Sequence, residues 1–287
     1  MKSVSKYLSL VKFSHTVFAL PFAIIGFFLA VKKMQSTFDL RLFILMLCCM
    51  IFARSAAMAF NRFIDRKFDS LNPRTQVREI PSGQISSTAA LIFVIISCLG
   101  FVVCTWFINP MCFYLSPVAL LVVLGYSYTK RFTALCHIIL GIGLGLAPIG
   151  AYLTITGKFA VLPVLFSFAV LFWVSGFDII YALQDEDFDR SNKLHSIPAF
   201  MGRKNALRLS ELLHLFSGLL VLAAGYYGNF HVAYWIGAGL FCFFLIYQHT
   251  LVKLNDLSKV NLAFFTMNGI ASVVFGVITV VSILISK

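Results

Sequence analysis

The sequence predicts an all-α membrane protein of about nine transmembrane helices, and three observations carry that prediction. Hydrophobic residues make up 60 % of the 287 residues and charged residues 12 %, with a mean hydropathy of +0.92. An ordinary soluble domain holds about 45–50 % apolar and about 25 % charged residues. Apolar runs long enough to span a bilayer, which takes about 20 residues, occur near 13–31, 40–60, 88–108, 111–129, 134–156, 160–182, 211–228, 230–250 and 262–285. Threading these with the N-terminus inside puts 17 of the 23 Lys and Arg on one side, the bias that orients membrane proteins. That bias accounts for most of the net charge of +12 without a nucleic-acid partner. The expected product is an integral protein of the bacterial inner (cytoplasmic) membrane, with its N-terminus and long loops cytoplasmic and its C-terminus outside.

Taken in order, the first span follows Lys2, Lys6 and Lys12 and leaves through Leu29-Ala30-Val31-Lys32-Lys33. That exit has no small-x-small cleavage pattern, so the segment is expected to be retained. Pro21 inside it suggests a kink. The second span runs into a helical stripe, Asn61, Asp65 and Asp69, and then into a loop with Pro73, Arg74, Arg78 and Pro81; the prolines predict that the helix ends near Leu71. The third and fourth spans are nearly continuous, split at Asn109-Pro110 by turn chemistry. Gly141, Gly143 and Gly145 in the fifth predict close helix packing. The sixth ends in a second stripe, Asp178, Tyr181, Asp185 and Asp189, followed by a basic loop. The last three spans, of which two are split at Gly228-Asn229, are almost free of acids and read as scaffold. All seven cysteines lie in apolar segments without a CxxC, which is packing usage.

Seven of the eleven acids fall in the two clusters at 65–69 and 178–189, five of them on the stripes themselves, and Asp65 to Asp185 and Asp69 to Asp189 are both 120 residues apart. On a helix, residues four apart advance about 400° and about 6 Å, so each stripe lines one face. Arg54, seven residues before Asn61, falls on the first of these faces. Costly ionisable groups at membrane depth are functional by default. Carboxylates crowded beside Arg and Lys suit a bridging cation. Hard Asp and Asn oxygens favour Mg²⁺, which is often completed by substrate phosphates, and nearby Arg would grip those phosphates. Two stripes facing one another would hold two Mg²⁺ around a diphosphate. A diphosphate leaving group beside an apolar cavity points to a lipid diphosphate. The other reading is transport of a cation or lipid diphosphate without bond cleavage, although transport sites usually sit near the midplane.

Asn61-xxx-Asp65-xxx-Asp69 with Arg54 before it, and Asp178-xx-Tyr181-Ala182-xx-Asp185-xxx-Asp189 later, resemble the two aspartate-rich motifs of the UbiA-type intramembrane prenyltransferases. The runs Arg78-Glu79-Ile80-Pro81-Ser82-Gly83 and Tyr128-Thr129-Lys130-Arg131 are similar to further signatures of that family. The resemblance covers residues 6 to 280. It implies one transmembrane domain over 1–287, with its motifs near 54–83 and 178–204. It also implies helices around a central apolar cavity with a cytoplasmic cap, and transfer of a polyprenyl group from polyprenyl diphosphate to an aromatic ring. Asn61, Asp65 and Asp69 would hold one Mg²⁺, and Asp185 and Asp189 the other. Arg74, Arg78, Lys130 and Arg131 would grip the diphosphate. Asp178 and Tyr181 would face the reacting carbons, and Arg54 would orient Asp65 or bind an acceptor carboxylate. Arg62 directly after Asn61, where the family carries a second acid, and the extra acids Glu186 and Asp187 depart from the pattern. The latter two are expected off the metal stripe. His195 is more often a surface residue than a diphosphate ligand. The acceptor would be a small aromatic acid of the 4-hydroxybenzoate kind. Phe188-Asp189-Arg190 and Leu194-His195-Ser196-Ile197-Pro198 resemble instead the subgroup that prenylates 1,4-dihydroxy-6-naphthoate on the way to menaquinone.

Overall fold

The computed structural model describes residues 6–7, 9–11 and 16–286, so the start of the first expected span at 13–15 lies outside the described residues. From Thr16 to Ile285 the α-helices run in order: α1 Thr16–Met34, α2 Leu40–Leu71, α3 Ser87–Ile108, α4 Pro110–Thr129, α5 Cys136–Thr156, α6 Val161–Ala182, α7 Glu186–Ser191, α8 Ile197–Tyr227, α9 Val232–Leu251 and α10 Asn268–Ile285. A 3₁₀ turn, Leu183–Asp185, joins α6 to α7, and a π-helical turn, Leu262–Met267, leads into α10. Among the described residues nine helical segments are long and apolar enough to cross a membrane. The only β-bridge among them joins Lys253 and Asp256.

Local chemistry explains the boundaries. Asn109 Oδ1 accepts the backbone N–H of Cys112 at 2.9 Å and Pro110 opens α4, so the split inside the 88–129 apolar run is an N-cap followed by a proline that has no N–H to lose. Ser86 Oγ caps α3 by accepting the Ala89 N–H at 3.1 Å. Helix α8 begins at Ile197, well before the start near 211 that hydropathy predicts. Ser196 caps it, Pro198 stands in its first turn, and its early turns carry Arg203, Lys204 and Arg208. Gly202 interrupts it with φ 78° and ψ 163°, a conformation open to glycine and strained for a side chain.

The chain forms two compact units, residues 1–16 with 40–128, and 17–39 with 129–287. In the first, α2 and α3 pack through Leu10, Ala59, Ile80, Ile85, Ala90 and Val94. The far side of α3 exposes Ile92, Leu99, Val103 and Trp106. So large an apolar face would be a liability in water and is what a helix shows to lipid.

In the second unit, the glycines expected to pack closely do so. A Cβ on Gly141 would lie 2.4 Å from the Leu171 carbonyl oxygen, and one on Gly145 would lie 2.8 Å from that of Ser167, so α5 and α6 meet backbone to backbone. The Trp173 indole N–H donates to Asn268 Oδ1 at 2.7 Å. The Asn268 amide in turn donates to Gln248 Oε1 and to the Ala263 and Phe264 carbonyls at 3.0–3.1 Å, satisfying acceptors in the π-turn. Phe22, Phe177, Phe241 and Phe275 surround this polar knot.

Candidate active site

In the first unit, one uninterrupted helix carries the stripe. Asn61 Nδ2 donates to Asp65 Oδ2 at 3.0 Å, the contact expected four residues apart. Beyond Leu71 the chain folds back on itself. Asn72 Oδ1 accepts the Arg74 N–H at 2.9 Å, the Thr75 hydroxyl donates to the Asp69 carbonyl at 3.1 Å, and Ile85 N–H bonds the Glu79 carbonyl at 3.0 Å. These turns return Arg78 to the stripe, where Nη1 meets Asp69 Oδ1 at 2.6 Å. Asp69 Oδ2 is buried with no hydrogen-bond partner. Glu79, also buried, accepts the Ser9 hydroxyl. Arg54 is half-buried, and its Nε has no partner. Arg74 sits partly exposed on the returning loop.

In the second unit the stripe crosses a change of helix type. Asp178 ends α6 beside His137 of α5, Nδ1 to Oδ2 at 2.7 Å. Tyr181 lies against Phe264, ring centroids 4.3 Å apart. Asp185 is buried in the 3₁₀ turn, and Asp189 on α7 is 0 % exposed. Lys130 Nζ lies 2.7 Å from Asp189 Oδ1 as an ion contact. Neither Asp189 oxygen takes a well-aligned hydrogen bond. Burial alone would lower the Lys130 pKa, but the close charge of Asp189, joined by that of Asp185, outweighs burial and raises it. Arg131 stands beside it, partly exposed. The loop after α7 is tied to the same spot, since the His195 N–H donates to the Lys130 carbonyl at 2.7 Å while the His195 residue itself is exposed.

The extra acids separate. Asp187 is 88 % exposed, whereas Glu186 is buried between Arg190 at 2.9 Å and Arg203 at 2.7 Å. Neither that two-arginine clamp nor His137 is visible from sequence. Arg203 is 17 residues from Glu186, and the Asp178 partner of His137 is 41 residues away in an apolar, glycine-rich run.

The donor chemistry fits a hard divalent cation. Asp69 and Asp189 each touch one cationic side chain and keep a buried oxygen without a hydrogen bond, a state that costs free energy unless something supplies charge. Among the described residues no three His, Cys, Asp or Glu are gathered into a cage. Mg²⁺ is commonly bound through one or two carboxylates plus substrate phosphate oxygens.

Known proteins resemble this chain in sequence and fold. The signature of the UbiA prenyltransferase family matches residues 19–270. A 4-hydroxybenzoate octaprenyltransferase of Tolumonas auensis is 31 % identical over 226 residues, covering 77 % of each chain. One of Francisella tularensis is 29 % identical over 222 residues, covering 77 % of this chain and 78 % of the other. Among solved structures, an apo UbiA homolog from Aeropyrum pernix K1 is 32 % identical with a TM-score of 0.84, covering 93 % of this chain and 97 % of the other. A UbiA homolog from Archaeoglobus fulgidus bound to GPP and Mg²⁺ shares the fold at 22 % identity and TM-score 0.77, covering 98 % and 100 %.

Proposed function

Because the chain belongs to the UbiA prenyltransferase family and is a membrane prenyltransferase, we propose that it transfers a polyprenyl group from polyprenyl diphosphate to the ring of a small hydroxy-aromatic acid of the 4-hydroxybenzoate type, for quinone biosynthesis. The transporter alternative falls with that membership. The observation that carries the reading is the pair of end-of-stripe carboxylates, Asp69 and Asp189, each buried, half-neutralised by a basic loop residue and short of a hydrogen bond. The names of the relatives and the GPP and Mg²⁺ in the Archaeoglobus structure support it.

In this proposal Asn61, Asp65 and Asp69 hold one Mg²⁺, and Asp185 and Asp189 a second. Bound Mg²⁺ supplies positive charge to the departing diphosphate. Arg74, Arg78, Lys130 and Arg131 grip diphosphate oxygens, and Arg offers the bidentate fork. The prenyl C–O bond breaks, the allylic carbon bonds to a ring carbon activated by the hydroxyl, and the ring proton leaves to restore aromaticity. Asp178 and Tyr181 orient the acceptor. Arg54 either orients Asp65 or takes the acceptor carboxylate. We place these loops on the cytoplasmic side of a bacterial inner membrane.

Parallel assays of the purified protein with one polyprenyl diphosphate and Mg²⁺ test the acceptor. One tube offers 4-hydroxybenzoate and the other 1,4-dihydroxy-6-naphthoate. Prenylated 4-hydroxybenzoate is the expected product. Prenylated naphthoate alone moves the enzyme to menaquinone synthesis, and release of no pyrophosphate in either tube overturns the reading.

A further inference from the structure

We propose that His137 is a positioning residue for acceptor recognition: its neutral imidazole holds one oxygen of Asp178 so that the other is presented to the acceptor's ring hydroxyl. The inference rests on the reading above that Asp178 faces the acceptor, and it assigns a role to a residue that no motif marks.

The geometry fixes the tautomer. His137 is buried, and its two ring nitrogens meet Asp178 and the Ile197 backbone. The backbone N–H of Ile197, at the start of α8, donates to Nε2 at 3.3 Å. A nitrogen that accepts carries no proton, so the ring hydrogen sits on Nδ1 and points at Asp178 Oδ2, 2.7 Å away. His137 is itself anchored. Its carbonyl accepts the Ser175 hydroxyl at 3.2 Å, and that hydroxyl also bonds the Leu171 carbonyl at 2.7 Å, on the helix that bears Asp178. The neighbouring Cys136 thiol donates to the His195 carbonyl at 3.5 Å. Three elements, α5, α6 and the start of α8, therefore converge on one imidazole.

The pair is lopsided in a way that separates holder from held. The His137 side chain is 4 % exposed and that of Asp178 23 %. Among the described residues Asp178 receives no hydrogen bond other than the one from His137. A carboxylate backed by a buried donor, with its second oxygen unengaged toward accessible space, is arranged to accept one more hydrogen bond. A phenolic hydroxyl is the donor an aromatic-acid acceptor brings. As the prenyl carbon bonds the ring, positive charge spreads to that hydroxyl, so its bond to Asp178 strengthens when it counts for rate.

The test compares His137→Leu, His137→Gln, Asp178→Asn and the double variant His137→Leu/Asp178→Asn, using full-length protein, polyprenyl diphosphate, Mg²⁺ and 4-hydroxybenzoate. His137→Leu is expected to lower kcat/KM for the acceptor about 10- to 100-fold, the range for losing a hydrogen bond to a charged group. The donor KM should stay within about twofold. Glutamine can donate to Asp178 and accept from Ile197 at once, so His137→Gln should recover most of the loss. It also keeps the test decisive should the leucine variant fold poorly. In the Asp178→Asn background, His137→Leu should cost less than about threefold more. Glutamine no better than leucine, or a leucine penalty undiminished in that background, reduces His137 to packing and overturns the inference. A silent His137→Leu beside an impaired Asp178→Asn overturns this inference alone. Full turnover by Asp178→Asn overturns the acceptor role of Asp178 as well.

Discussion

The two aspartate stripes look alike in sequence and are built differently. The first rides a single 32-residue helix, so Asn61, Asp65 and Asp69 keep true helical register, and the basic partner Arg78 is brought back by turns only nine residues on. The second crosses from α6 through a 3₁₀ turn into the six-residue α7, and its partner Lys130 comes from the far side of two spans. Asp69 can be assembled locally, whereas Asp189, fully buried, depends on tertiary structure to meet Lys130. The first stripe should therefore tolerate loss of its loop partner better than the second.

The largest effect should come from the ligands themselves. Asp69→Asn and Asp185→Asn are each expected to lower turnover about 10²- to 10³-fold, and EDTA should silence the wild type until Mg²⁺ is restored. Activity that survives EDTA removes the common metal role and leaves the two stripes with nothing shared.

Next comes the contrast between loop partners. Lys130→Met strands a buried carboxylate and is expected to cost about 3 kcal/mol of stability. Arg78→Met should cost less, because the carboxylate it would strand, Asp69, is 7 % exposed where that of Asp189 is 0 %. Thermal unfolding in detergent reads both, and equal losses would break the comparison. The pair also has a pH signature. The Lys130 pKa is raised in the fold, so its contribution is complete below the ordinary lysine value of about 10.4 and is lost as pH rises through the higher folded value. The wild type should lose stability on that alkaline side, and Lys130→Met should not.

The smallest effect separates the neighbours of the second stripe. Asp187→Ala, at an exposed site, should stay within about 0.5 kcal/mol. Glu186→Ala leaves Arg190 and Arg203 without their shared carboxylate and should cost visibly more in the same unfolding assay.

The spans and the first stripe were legible because both are local. Hydropathy finds about 20 apolar residues, and spacing by four finds a helical face. Prolines 73 and 81 placed the end of α2 correctly. The early turns of α8 were hidden by Arg203, Lys204 and Arg208, which dilute hydropathy. The cap Ser196 and Pro198 would have revealed a helix start to a reading that weighed caps above apolarity. Steps of 100° per residue assume one regular helix across the second stripe; the 3₁₀ turn at Leu183–Asp185 breaks that register, and helical spacing alone says only that Glu186 lies off the metal stripe. His137 meets its partner Asp178 41 positions away and Lys130 meets Asp189 59 positions away, and no local pattern pairs those residues.

The knot of Trp173, Asn268 and Gln248 solves a problem that lipid creates. One leucine-lined helix slides past another in hydrocarbon with little change in free energy, because tails and side chains are alike. Hydrogen bonds have addresses. Sliding α10 by one turn, about 5.4 Å, would separate Asn268 from both Trp173 and Gln248 at once. The depth of the last helix in the membrane is thereby keyed to the helix that bears Asp178, and a single amide acts as the datum from which that side of the protein is levelled.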